Sequence, residues 1–152
     1  MTVSSRCICT AIDAKALARI IEGHADGATY IDSHPWIVAR ELLVDATAAE
    51  QRLPLVFATG NPIAFSHWAF VATIEVRELH HGSWESHCEI GVLKPVNPIW
   101  ESIGSIVLAP SAEQLHRERV EPVHIHRQML NEQHIWPYAV CETPAFIADH
   151  PP

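Results

Sequence analysis

Two segments in the middle of the chain constrain its fold more than anything else in it. Leu53 to Thr59 (LPLVFAT) is a short, dense apolar run of strand length. Gly60, Asn61 and Pro62 break it. His67 to Leu79 (HWAFVATIEVREL) follows, and its second part alternates. Ile74, Val76 and Leu79 stand against Glu75, Arg77 and Glu78, with one slip near the end that reads as a bulge. A period of two is the mark of a strand with one wet face. Gly82 and Ser83 make a turn, so residues 84–93 are expected to return antiparallel to a long central strand over 67–79.

Helices are marked earlier. Residues 3–11 alternate and read as a first strand. Asp13 can cap a helix that carries Leu17, Ile20 and Ile21 on one face, with Ile12 placed to staple Leu17 and Gly23 to stop it. Residues 27–32 read as a short strand. Pro35 then permits a second helix to about Glu50, with Trp36, Ala39 and Leu43 on one face. Past the central strands, Ser105–Ala109 reads as a strand, and Ser111 with Gln114 as the capping box of a helix that ends before Pro122. Residues 123–134 fit helix or strand equally. Residues 135–142 read as a last strand, with Pro137 suggesting a sheet edge. A proline-rich, irregular tail occupies 143–152. The expectation is one α+β domain over 1–152, with two or three helices. Its strands would form a small mixed or antiparallel barrel or a strongly bent sheet.

The 152 residues suffice for one domain with a sizeable core. No stretch approaches the ~20 apolar residues of a membrane span. Met1 to Thr10 does not read as a signal peptide, which points to the cytoplasm. Cys7, Cys9, Cys88 and Cys141 fit free, buried thiols in a reducing compartment. The net charge is −8, and neither half of the chain has a basic excess. Affinity for long nucleic acid is therefore not expected. A small molecule, a single modified base, a protein partner or a second copy in a homodimer remains open.

The order of these elements resembles the PUA-like barrel superfamily, in its ASCH and EVE branches. The resemblance is carried over residues 5–79 by a first strand, a helix ending in IIEG, a second strand, then LPLVFATG and AFVATIEVREL. It implies a barrel that binds RNA, a modified base or a small nucleoside. ASCH-type amidohydrolases use lysines and a glutamate in the pocket. This chain has only Lys15 and Lys94, and Gly23-His24-Ala25-Asp26 stands where the family tends to carry G-K-K-T. No catalytic residue carries across.

Eleven histidines make the chain histidine-rich, and five tryptophans are many for its length. If residues 123–127 are extended, His124 and His126 lie on one face and suit two ligands of a zinc ion. His116, His134, Glu121 or His87 would supply a third. The alternative is two solvated histidines. His80, His81, His87, Cys88 and Glu89 span a turn that could set His80 or His81 opposite His87, at a spacing that matches no standard zinc pattern. Trp68 and Trp84 flank the hairpin and could face each other to stack a planar ligand; core packing is the alternative. Arg117 and Arg127 belong to the one locally basic stretch. They can form an anion site, or Arg117 can simply pair with Glu113 one turn away. No G-x-S-x-G elbow and no phosphate loop is present. Cys141 beside Glu142, with His134 or His150, is a thin candidate thiol site. The leading expectation is a domain binding a small or modified-base ligand in an aromatic, histidine-lined pocket. A zinc-dependent enzyme and a protein-interaction module are the alternatives.

Overall fold

A computed structural model describes residues 2–23, 27–96, 101–102, 106–110, 112–121, 127–131 and 133–148. The chain runs β1 (Thr2–Val3), β2 (Arg6–Ala11), α1 (Ala14–Gly23), β3 (Ala28–Asp32), α2 (Ile37–Ala48), β4 (Gln51–Arg52) and β5 (Pro54–Thr59). It continues through β6 (Ala64–His80), β7 (Ser83–Ile90), β8 (Lys94–Pro95), β9 (Glu101–Ser102), α3 (Ala112–Val120), β10 (Ala139–Glu142) and α4 (Ala145–Ala148). The main sheet has the order β10-β2-β5-β6-β7-β3, with β8 and β9 also paired to β6. β2 runs parallel to β5, and the other pairs in this sheet are antiparallel. β1 and β4 make a separate parallel pair. No described helix is long and apolar enough to cross a membrane.

The central strand is present and longer than the pattern implied, reaching from Ala64 to His80. Its first half pairs with β5 and its second half with β7, so one strand belongs to two half-sheets. The expected slip lies between Glu78 and His80. Two further register shifts fall between Val71 and Thr73, and opposite Phe57 and Ala58. Each such shift adds twist and lets the long strand bend.

The sheet does not close into a barrel. β10 and β3 stand at its two ends and do not pair with each other. The reason lies in β2 and β5, which are buried on both faces. Cys7, Cys9 and Ala11 face one core together with Val56 and Ala58. Ile8 and Ile12 face another with Leu55 and Phe57. A barrel strand shows its second face to solvent. Here each face carries its own apolar cover, as in a layered α/β sheet. Helices α1 and α2 supply Leu17, Ala39, Leu42 and Ala46 to one side. The late segments supply Ile106, Leu130, Ile135 and Ile147 to the other.

Other details depart from the pattern reading. The buried stripe of α2 is Ala39, Leu42 and Ala46, with Leu43 only half-buried, because the i, i+3, i+7 row meets the sheet. Asp13 does cap α1, its carboxylate accepting from Ala16 N at 3.4 Å, and Ile12 shares a core with Leu17. Ser111 of the expected capping box lies outside the described residues. The expected strand at 105–109 reduces, among the described residues, to bridges from Val107 to Met129 and from Leu108 to Cys141. The last strand is shorter than 135–142, at Ala139–Glu142. The tail over 143–152 is not irregular throughout. α4 forms one turn after Pro144, and its Ile147 is fully buried in the first core.

Trp36 locks the helical layer to the sheet. Its ring is fully buried, 4.7 Å from the Tyr138 ring and 5.8 Å from that of Tyr30. The indole Nε1 donates to Asp32 Oδ2 at 3.0 Å, and the same oxygen accepts from His34 N and Nδ1. The backbone N of Trp36 donates to Ser86 Oγ at 2.9 Å, and that hydroxyl donates to His34 O at 2.5 Å. Ser86 is completely buried. Its hydroxyl thus satisfies two main-chain groups at the start of α2 from the far strand β7. Replacing Ser86 by Ala leaves both groups without their partner, so unfolding in urea should show a loss of about 1–3 kcal/mol.

Candidate functional site

The late segments assemble a cleft at the β10 end of the sheet. Residues 107–109 lie between β10 and the segment 128–130. Ala109 N donates to Val140 O, Glu142 N to Val107 O, and Leu108 N to Gln128 O. This three-way ladder brings Arg127 beside Glu142, and Glu142 stands opposite Arg6 in the β2–β10 register. The Thr143 hydroxyl donates to Ser4 O at 2.7 Å, and Arg6 N donates to Ser4 Oγ at 3.2 Å. The result is a cleft of about 770 Å³. Its polar wall holds Ser4, Ser5, Arg6, Arg127, Glu142 and Thr143, and its apolar rim includes Pro110 and Leu115. That volume falls in the range of about 300–1,000 Å³ typical of small-molecule sites.

Arg127 is positioned by α3. Its Nη1 and Nη2 donate to the two carboxylate oxygens of Glu118 at 2.5 and 3.1 Å, a bidentate fork. Its Nε lies 3.9 Å from Glu142 Oε1. The Glu118 hydrogen bonds push the already high guanidinium pKa further up, so the group is a fixed cation. Arg117 sits exposed on α3 and does not line this cleft. Among the described residues, the ion pairs of this region are Arg127 with Glu118 and Arg127 with Glu142, and none joins Arg117 to Glu113. Arg6 lacked any motif to announce it. Only the register that sets β2 against β10 brings it to Arg127, and register is invisible in a single strand's pattern.

The tryptophan pair does not form a stacking site. Trp68 is fully buried, edge-on to Phe70 at 5.0 Å, with the Lys94 ammonium 4.7 Å from its ring centre. Trp84 is half-buried and stands opposite Glu78, near the far end of β6. At about 3.3 Å per residue the two are on the order of 30 Å apart along the strand. The sequence placed them on paired strands correctly, but the hairpin extends away from Trp68 instead of folding back over it. Trp68→Ala should cost about 3–5 kcal/mol in a denaturant titration, and Trp84→Ala well under half of that.

His124 and His126 lie outside the described residues, as does His150. His80 stands opposite Ser83 and His87 opposite Glu75, so the turn does not set His80 against His87. The His87 ring bonds Glu85, and His134 Nδ1 accepts from Asn131 N. Among the described residues no three metal-capable side chains are arranged to hold an ion.

All four cysteines are free and buried. Cys7 and Cys9 share one face of β2 with their sulfurs 3.9 Å apart, and Cys141 lies opposite Cys7. Burial, then the neighbouring thiols, pushes the Cys9 thiol well up. Burial, then the Asp32 charge, pushes Cys88 up to about 12. Cys141 is itself fully buried and out of reach of a substrate, which leaves the Cys141 thiol site without support. A disulfide-exchange reagent at pH 8 should label none of the four within minutes in buffer, and all of them in guanidinium.

No family model matches this chain, and no curated protein or solved structure is significantly similar to it.

Proposed function

We propose that this chain is a small-ligand-binding domain, and that the cleft between β2, β10 and α3 takes a small molecule bearing a carboxylate or phosphate. One observation carries the reading: Arg6, which has no ion pair among the described residues, shares one cleft rimmed by hydroxyl groups with Arg127 and its partner Glu142. Arg127 is held in place by Glu118 before any ligand arrives, which lowers the ordering cost of binding. Arg6, exposed at the start of β2, is the adaptable partner. The sequence resemblance of residues 5–79 to the PUA-like superfamily suggests a mononucleotide bearing a modified base as a member of this ligand class. The net charge of −8 argues against a long polyanion.

The test is calorimetric titration with mononucleotides and with the matching nucleosides. A mononucleotide should bind more tightly than its nucleoside. Arg6→Ala should remove that difference, at a cost of about 1.5–3 kcal/mol for a charge-assisted bond. Arg127→Gln should weaken binding further. Nucleoside and nucleotide binding equally, or neither binding to a folded protein, would overturn the reading.

A further inference from the structure

On the other face of the sheet, between α1 and β6, lies a smaller pocket of about 270 Å³. Ile20 and Ile21 come from α1, Val92 and Leu93 from the segment after β7, and Pro95 from β8. Among the described residues, the wall is apolar except for one side chain, the His67 imidazole. Three observations make this more than a packing gap.

The first is the bulge. His67 pairs with Phe57, and Phe65 pairs with Ala58, so Ser66 is the extra residue of a bulge in β6. Bulges are concentrated beside binding sites, where they re-aim a side chain. This one turns His67 toward α1.

The second is the state of the ring. His67 Nδ1 is buried and has no hydrogen-bond partner. A buried donor without a partner is rarer and costlier than a buried lone pair. A bare lone pair on Nδ1 is the less costly arrangement, which favours the tautomer with its proton on Nε2, at the other edge of the ring. Partial burial lowers the pKa of the imidazole, which keeps it neutral near pH 7. A neutral donor in an apolar wall selects a neutral acceptor.

The third is the rim. Ile21 and Val92 are about half exposed, at 47 % and 50 %. Across the pocket the backbone runs through Gly27 and Gly91. Gly27 has φ +138°, and a Cβ there would meet Ile90 O at 2.5 Å, so this close wall tolerates only glycine. Bare backbone on one side and branched aliphatics on the other favour a flat ligand.

We propose that this pocket is a second binding site, for a small, neutral, aromatic heterocycle whose ring nitrogen or carbonyl accepts a hydrogen bond from His67. Its volume lies just under the usual range of drug-sized sites, about 300–1,000 Å³, so one or two fused rings are its scale. The site is separate from the arginine cleft and shares no lining residue with it.

Isoquinoline and indole test the idea on the full chain. They have nearly the same size and shape, but the first offers a ring-nitrogen acceptor and the second only a donor. Isoquinoline should bind about tenfold or more tightly than indole and shift the His67 side-chain ¹⁵N resonances, with Nε2 remaining protonated. His67→Phe should abolish the preference. Arg6→Ala should leave it unchanged. If His67→Phe does not fold, Val92→Asp at the rim serves in its place and should abolish isoquinoline binding. Equal binding of the two rings, the proton found on Nδ1, retention of isoquinoline by the variant, or no binding by the wild-type chain would each overturn the proposal.

Discussion

Everything in this fold depends on the double-sided burial of β2 and β5. Two adjacent parallel strands, each apolar on both faces, cannot sit at a surface. Successive side chains enter opposite cores, with Cys7, Cys9, Val56 and Ala58 on one side and Ile8, Leu55 and Phe57 on the other. Each core then needs a cover. The chain provides the first cover with the helices between its early strands. The second comes from segments after β9, through Ile106, Leu130, Ile135 and Ile147. Burial of aliphatic and aromatic groups on this scale dominates the stability of such a domain. Hydrogen bonds supply the registration: Ser86 ties β7 to α2, and Thr10 ties β2 to Pro137 O at 2.7 Å.

The two concavities follow from the two covers. The helical cover leaves a gap where α1 meets a bulged strand, and that gap is apolar with one imidazole. The later cover leaves a gap where short bridged segments meet β10, and that gap is lined with arginine, glutamate, serine and threonine. Their chemistry differs because their construction differs. A helix lays an aliphatic stripe against a sheet. A set of loop segments carries main-chain polar groups that need hydroxyl and charged partners.

Residues 53–90 were legible because a period of two and a glycine turn are local signals. β5, β6, β7 and the first helix stand where the pattern put them. Openness of the sheet was not legible, since it depends on what covers the second face of β2, and those groups lie about a hundred residues or more away in the chain. The same holds for the candidate site. Arg127 stood out as part of a basic stretch, whereas Arg6 did so only once β10 was set against β2. Trp68 and Trp84 show the converse error. Their strand pairing was readable, but which residue faces which across a bulged ladder was not.

The pairing of β10 with β2 also orders events in time. During synthesis β2 gains β5 early, but its other edge and the cover over Cys7 and Cys9 arrive only when Val140 and Ile147 have left the ribosome. Until then two sulfurs that the finished molecule hides completely lack that cover. An oxidant therefore meets these thiols in the incomplete or unfolded chain and not in the finished fold, where all four are buried.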